Sequence, residues 1–290
     1  MQRGAEARKV ELRPPAEPLL RARSLGRVLR QHGLLTLASL PLLLFLLLPL
    51  VALVLRVTPA EFLAQVVSPA AAQAIQLSLG TTLVSLAITL VAGTPLAYLV
   101  ARRRFPGRIV LETLLDLPLV LPPAVAGIAL LLAFGRFGLL GPALGNLGVQ
   151  VAFTRVAVIL AQLFVAAPFY VRTASTAFAT VDREIEQAAA LDGAGPLTIF
   201  WHITLPLTAP TLFGGAVMTW ARALGEFGAT ILVAGNLQGV TQTMPLAIYL
   251  GFDSGDLAEA LALSVVLLVV SFGVLLLVKG ILRRRLGGVE

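Results

Sequence analysis

The sequence predicts an all-α integral membrane protein that crosses the bilayer six times. Hydrophobic residues make up 58% of the chain and charged residues 13%, whereas soluble domains contain about 25% charged residues. The apolar residues also occur in blocks of about the 20 residues that a helix needs to cross the hydrocarbon core. A helix satisfies its backbone hydrogen bonds internally, and the blocks lack the alternation of a membrane β-barrel strand.

Six segments are predicted to span the membrane. The first is not interpreted as a cleaved signal peptide, because a long polar and basic stretch precedes it and its apolar run is too long. The fifth is the least uniform, since Arg222 and Glu226 interrupt it. The predicted spans are residues 34–55, 75–101, 111–134, 156–173, 207–234 and 257–282.

The basic residues predict the orientation of the chain. Its net charge is +7, and with six crossings eighteen of the 22 lysines and arginines fall on one side. This bias is typical of cytoplasmic loops, so both termini are predicted to be cytoplasmic and nucleic acid is not an expected partner. Residues 1–33 are predicted to be a basic cytoplasmic tail, 34–285 the six-span transmembrane domain, and 286–290 a short cytoplasmic C-terminus. Residues 19–31 suit either an amphipathic helix on membrane lipid or a solvated tail.

The residue types exclude several kinds of active site. The chain has no cysteine, and its two histidines, His32 and His202, lie towards the cytoplasmic side. A thiolate nucleophile, a cysteine metal site and a histidine site at membrane depth are therefore not expected. No phosphate-binding loop of the Walker type occurs, and no metal-ligand cluster can be assembled. We therefore expect neither an enzyme nor a chain that binds a metal or cofactor.

The longest cytoplasmic connection, residues 174–206, predicts two short helices joined by a glycine turn. Acidic residues suit the start of the first helix, and Gly193 suits the left-handed conformation that ends it. Pro196 suits the first turn of the second helix, and Pro206 begins the next span. Phe200 and Trp201 then place a large apolar surface outside the membrane, which needs a pocket in this chain or in a partner.

This connection resembles the EAA motif of permease subunits in binding-protein-dependent ABC importers. In that motif a Glu-Ala-Ala run precedes a glycine, and nine residues later comes Ile-x-Leu-Pro. The glutamate position is occupied here by Gln187, with Glu186 one residue earlier. The positions that match in register are Ala188, Ala189, Gly193, Ile203, Leu205 and Pro206.

The resemblance implies a type I ABC importer (MetI-like) fold with a cytoplasmic coupling helix that docks on an ATPase subunit. The partner would bind and hydrolyse ATP with Mg²⁺. Two simpler interpretations stay open: the connection packs on its own bundle, or Phe200 and Trp201 anchor it at headgroup level. The implied coupling residues are Glu186, Gln187, Ala188, Ala189, Asp192, Gly193, Phe200, Trp201, Ile203, Leu205 and Pro206.

The fifth predicted span carries two opposite charges, Arg222 and Glu226, four residues apart. At this spacing they share a helix face and can pair. Charges at membrane depth usually face the bundle interior or a water-filled path, so the pair either gates a path or only holds helices together. The predicted path or gate residues are Arg222, Glu226, Phe227, Gly228 and Thr230.

Residues 222–236 are similar to the Arg-x-Leu-Gly-Glu-Phe-Gly-Ala-Thr segment of the molybdate and sulfate permease branch. Residues 241–249 resemble the molybdate version in particular, and residues 116–123 also resemble this branch. The resemblance implies a tetrahedral oxyanion as substrate, with molybdate favoured over tungstate and sulfate. The expected partners are two ATPase subunits, a periplasmic or extracellular binding protein and a second permease copy, in the cell inner membrane.

Other interpretations remain open from the residues. A heterodimer with a related permease is an alternative to the homodimer. A secondary transporter or anion channel would place acidic or histidine relays deep in several spans, whereas Glu226 is the main deep candidate. A membrane-embedded hydrolase would need a histidine at depth.

Overall fold

The computed structural model describes the backbone of residues 17–286 and the side chains of residues 36–280. Residues 1–16 of the predicted tail and residues 287–290 lie outside this part. Within this part, all regular secondary structure is helical, which confirms the all-α class. The chain divides into two compact units, one that ends at Leu55 and one that begins at Arg56.

The first unit consists of helix α1 (Glu17–Arg56). It begins inside the predicted tail, and Pro18 is tolerated there because the first-turn N–H groups have no partner within the helix. The section Thr36–Leu55 has a mean hydropathy of 2.7 and is long enough to cross a membrane. It corresponds to the first predicted span.

The second unit contains twelve further α-helices within the described residues. A π-helical turn, Phe200–Thr204, joins α9 to α10. The helices are α2 (Pro59–Val66), α3 (Pro69–Arg102), α4 (Arg108–Val120), α5 (Pro123–Phe134), α6 (Gly141–Asn146), α7 (Arg155–Thr180), α8 (Arg183–Leu191), α9 (Pro196–Ile199), α10 (Leu205–Leu224), α11 (Gly228–Ala234), α12 (Met244–Ser254) and α13 (Leu257–Leu286).

In the described part of the chain, four helices are long and apolar enough to cross a membrane, and a bent pair would make a fifth. The four are Thr36–Leu55, Pro69–Arg102, Arg155–Thr180 and Leu257–Gly280, which match the first, second, fourth and sixth predicted spans. The third predicted span is the bent pair α4 and α5, and the fifth is divided between α10 and α11. The total of six spans therefore stays a prediction.

Two prolines explain the bend of 116° between α4 and α5. Neither Pro122 nor Pro123 has an N–H to continue the helical ladder, and a proline disfavours helical geometry in the residue before it. Leu121 and Pro122 accordingly have extended ψ values of 135° and 134°. The sequence contained this signal, but the length of the apolar run made one straight helix the simpler prediction.

Helix α7 connects two parts of the core. One apolar cluster joins it to α5 and α11, and a second joins it to α3 and α10. Glycines allow the closest approaches: a Cβ added to Gly127 of α5 would lie 2.7 Å from the carbonyl oxygen of Ala229 in α11. A Cβ on Gly215 of α10 would lie 2.9 Å from Cγ2 of Thr173 in α7. Gly215 is therefore used for packing within the chain.

Candidate functional site

The predicted coupling segment folds into the helix and glycine turn that its residues favour. Asp182 caps α8 by accepting a hydrogen bond from the N–H of Glu184 at 2.9 Å. Gly193 follows the end of α8 with φ +91°, a value that a side chain would strain. The N–H of Ala194 donates to the carbonyl of Ala189 at 3.0 Å and completes the cap.

The second part of the segment differs from the predicted separate short helix. Helix α9 starts at Pro196, as predicted, but has only four residues and continues through the π-helical turn into α10. The N–H of Leu205 donates to the carbonyl of Phe200, five residues earlier. Pro206 explains this change of period, because a proline removes one bond of the α-helical ladder and crowds the preceding turn. The coupling segment is thus continuous with α10.

Glu186 connects this segment to the transmembrane helices. Its carboxylate accepts a hydrogen bond from Nη2 of Arg102, the last residue of α3, at 3.0 Å. The hydroxyl of Thr204 in the π-helical turn donates to the same oxygen at 2.6 Å. The two charged side chains are only 7% and 16% exposed, and Arg102 also donates to the carbonyl of Val181. Three segments of the chain therefore meet at one partly buried carboxylate.

The two aromatic residues of the segment face different surroundings. Phe200 packs edge-on against Tyr98, with ring centroids 5.2 Å apart, and lies near Phe178 in the apolar cluster of α3, α7 and α10. Trp201 contacts the Phe200 ring but is 60% exposed. Within this subunit Phe200 therefore acts as a core residue, while Trp201 presents an apolar surface that this chain does not cover.

An exposed apolar surface surrounds the glycine turn. We define the turn surface as Gln187, Leu191, Leu197 and Trp201, all of which are exposed. Leu191 is 89% exposed and Leu197 is 75% exposed. Of the other predicted coupling residues, Ala188, Asp192, Gly193 and Pro206 are exposed, whereas Ala189, Ile203 and Leu205 are partly buried.

The structure places Arg222 in the last turn of α10 and Glu226 in the break that follows, rather than both within one helix. Helix α10 ends at Leu224, and α11 begins at Gly228. Oε2 of Glu226 lies 2.7 Å from Nη1 of Arg222, and its Oε1 accepts a hydrogen bond from the N–H of Ala229 at 2.8 Å. The carboxylate therefore neutralises one helix's arginine and caps the next helix. Its side chain is 1% exposed, against 31% for Arg222.

The other predicted path residues surround this break. The Phe227 ring lies 5.1 Å from that of Tyr249, and both line an apolar cavity of about 330 Å³. A Cβ on Gly228 would lie 2.8 Å from Cβ of Pro123, so glycine permits α11 to approach the bend before α5. The hydroxyl of Thr230 is buried and has no hydrogen-bond partner among the described residues. All five predicted path residues thus lie within one break or in the helix ends that flank it.

Sequence reasoning missed several partners of these residues. Arg172 lies near the end of the fourth predicted span, in α7, which continues to Thr180, and it pairs there with Asp116 of α4. Arg102 and Thr204 were not predicted to hold Glu186. The Arg102–Glu186 and Arg172–Asp116 pairs join residues 84 and 56 positions apart, so no short-range sequence signal could identify them.

Comparison with known proteins decides the family. Residues 93–287 match the family described as the binding-protein-dependent transport system inner membrane component. The chain belongs to this family. It is therefore a multi-pass inner-membrane permease of a binding-protein-dependent ABC importer, a transport component rather than an enzyme.

Individual relatives agree with the family match. The permease is 46% identical over 229 residues to the molybdenum transport system permease protein ModB of Mycobacterium tuberculosis, covering 78% of this chain and 86% of the relative. It is 34% identical over 245 residues to the probable sulfate transport system permease protein cysT of Zygnema circumcarinatum, covering 83% and 85%. A solved bacterial alginate ABC transporter in complex with its alginate-bound periplasmic protein has the same fold, with a TM-score of 0.73, 20% identity, and coverage of 90% and 96%.

Proposed function

We propose that this permease moves molybdate from a periplasmic binding protein into the cytoplasm by alternating access, powered by two separate ATPase subunits. Molybdate is favoured as the substrate because the sequence identity to the relative named for molybdenum transport is higher than that to the relative named for sulfate transport. Tungstate and sulfate are tetrahedral dianions of the same shape and remain the alternatives of the same class. Both termini lie in the cytoplasm, in keeping with the positive-inside distribution of charge.

The turn surface is the proposed docking site for the ATPase. It offers uncovered apolar side chains, led by Leu191 and Trp201, at a point where the family resemblance places the coupling helix. Tryptophan is among the residues that most often anchor protein interfaces, and the neighbouring leucines would exclude water around it. Gln187 lies in the same surface and supplies an amide rather than a carboxylate.

Movement of the docked ATPase would reach the membrane through two connections. The partly buried carboxylate of Glu186, in α8, forms an ion pair with Arg102 at the end of α3 and so connects the two helices. The π-helical turn carries the coupling segment directly into α10, whose far end holds Arg222. A rigid-body shift of α8 would therefore pull on α3 and α10 together, and these helices are packed against α7.

The break between α10 and α11 is the proposed gate. A fixed, unpaired cation shielded from water inside the path would hold a dianion too tightly to release it, and Glu226 neutralises Arg222 in the structure. Polar groups without net charge are supplied at the break by the two helix ends, by the backbone of Gly228 and by the buried hydroxyl of Thr230. We therefore assign Arg222 to gating rather than to a strong binding site.

A homodimer with the path near its two-fold axis is proposed, because each chain carries one coupling segment and the ATPases act as a pair. Closed symmetric dimers are the commonest oligomers. A heterodimer with a second permease is the alternative, and cross-linking of purified complexes that carry two differently tagged copies distinguishes them. Recovery of both tags in one complex supports the homodimer.

The substrate is tested by reconstituting the permease in proteoliposomes with its ATPase and binding protein. We expect molybdate to stimulate ATP hydrolysis and ATP-dependent uptake at lower concentrations than tungstate or sulfate. Stimulation by sulfate alone would identify sulfate, rather than molybdate, as the substrate. Oxyanion movement by the permease alone, without ATP or the ATPase, would contradict the importer mechanism.

Substitution of Trp201 by alanine is expected to weaken binding of the ATPase by about tenfold, because it removes an exposed aromatic anchor. Gln187→Glu should have a smaller effect, since the apolar part of the turn surface is unchanged. Phe200→Ala should mainly lower the thermal stability of the subunit, because Phe200 packs against Tyr98 and Phe178. Affinity of detergent-solubilised permease for its ATPase measures the first two effects. A larger loss for Gln187→Glu than for Trp201→Ala would mean that the docking contact is misplaced.

A further inference from the structure

A cavity of about 470 Å³ lies on α3 and α7, away from the break that holds Arg222. It follows α3 from Gln73 to Val84, which corresponds to roughly 16 Å at 1.5 Å per residue. Its polar side chains include Gln73 and Gln76 from the first half of α3, Thr81 further along that helix, and Arg155 at the start of α7. In the proposed orientation these helix starts face the periplasm, so the polar end of the cavity faces the binding protein.

Arg155 is an exposed residue that lines this open cavity, and it has no counter-charge among the described side chains. Its Nη2 donates to the carbonyl of Gly239 at 3.0 Å. No carboxylate lies within ion-pair distance of it in the part of the chain with described side chains. None of the residues that line the cavity is acidic. One hydrogen bond to a backbone carbonyl thus orients a guanidinium whose other N–H groups are available.

The amides complete a set of donors suited to a small anion. Gln73 lies against the loop that carries Gly239, since a Cβ added to that glycine would be 3.2 Å from Oε1 of Gln73. Gly239 has φ +73°, so both its conformation and this contact favour glycine there. A guanidinium with neighbouring side-chain amides offers several N–H donors to a tetrahedral oxyanion, and the guanidinium bonds are charge-assisted.

We infer that this cavity is a reception site for a tetrahedral oxyanion, in which Arg155 binds the dianion between its release from the binding protein and its entry into the path. The inference rests on the proposed function and orientation. It assigns the attractive charge to the outer end of the permease, where a weak and transient contact raises the local concentration of a dianion. Arg222, in contrast, remains neutralised by Glu226.

The test uses the complete permease–ATPase complex in nanodiscs, without binding protein, and measures binding of radiolabelled molybdate. We expect saturable, salt-sensitive binding that Arg155→Gln weakens by about tenfold or more. Arg155→Lys should recover part of it, because charge returns without the planar donors. The matched control is Arg136→Gln, which removes an exposed arginine that stacks on Phe137 and does not line the cavity. It should bind as the wild type does.

The outcomes separate this inference from the proposed function. If ATP-driven uptake of molybdate is normal and Arg155→Gln binds the anion as tightly as wild type, the reception site is wrong and the importer assignment stands. Absence of measurable binding by an active wild-type complex has the same meaning. If the complete system takes up none of molybdate, tungstate and sulfate, the proposed substrate class is wrong. An equal loss in Arg136→Gln would show a general effect of surface charge and would also overturn the site.

Discussion

Substitution of Glu186 by alanine is expected to lower oxyanion uptake per ATP hydrolysed by about tenfold, while the permease still binds its ATPase. The variant removes the carboxylate that accepts from both Arg102 of α3 and Thr204 of the π-helical turn. Removal of one partner of a fully buried ion pair costs about 3 kcal/mol, mostly because the other charge is left unpaired, and this partly buried pair should cost less. Movement of α8 would then no longer pull on α3.

The measurement compares ATP hydrolysis with uptake in the same proteoliposomes. Gln187→Ala is the matched control, because it changes the next residue, which is exposed, and should leave the ratio of uptake to hydrolysis unchanged. Arg102→Met should resemble Glu186→Ala, and the double variant should be little worse than either, since both changes break one interaction. Additive losses would show that the two residues act separately.

Substitution of Arg222 by glutamine is expected to reduce ATP-driven uptake by at least about tenfold without preventing assembly of the complex. The change leaves the Glu226 carboxylate, whose side chain is 1% exposed, with the Ala229 N–H but without its positive partner. The break between α10 and α11 would then lose the arrangement that holds it in place.

Variants of neighbouring groups distinguish a gate from a packing contact. Glu226→Gln keeps an oxygen that can accept from Ala229, so it should keep the break intact but leave Arg222 charged and free to retain the dianion. Glu226→Ala should also lower stability. Arg108→Gln is the control, because Arg108 and Glu112 form a pair of the same spacing that is 36% and 29% exposed, where such pairs contribute little. Uptake by Arg222→Gln at the wild-type rate would end the gating hypothesis.

Local chemistry accounts for most of what could be predicted about the coupling segment. Asp182, Gly193 and Pro196 act within a few residues of their own positions, as a cap, a left-handed turn and a helix start. The spacing from Gly193 to Pro206 is equally visible in the sequence. The continuous helix through Phe200–Thr204 was not predicted, because a π-helical turn depends on how a proline is accommodated by its surroundings.

The tertiary structure decided which residues of the coupling segment face the bundle and which are exposed. Phe200 and Trp201 are adjacent and chemically alike, yet one packs against Tyr98 and the other is exposed. Glu186 and Gln187 divide in the same way, between an internal ion pair and the turn surface. Neighbouring helical residues point about 100° apart, so a small rotation of the segment exchanges their roles.

The sequence by itself determined that this protein is an apolar, all-helical membrane chain of the permease family, and it predicts a coupling segment on the cytoplasmic side. These properties follow from composition, charge bias and motifs read over a few tens of residues. Only the tertiary structure decided that α4 and α5 meet at 116°, that Glu226 lies between two helices, and that Arg102 and Glu186 pair. The physical reason is distance along the chain: these features depend on contacts or angles between helices, which no periodicity within one helix encodes.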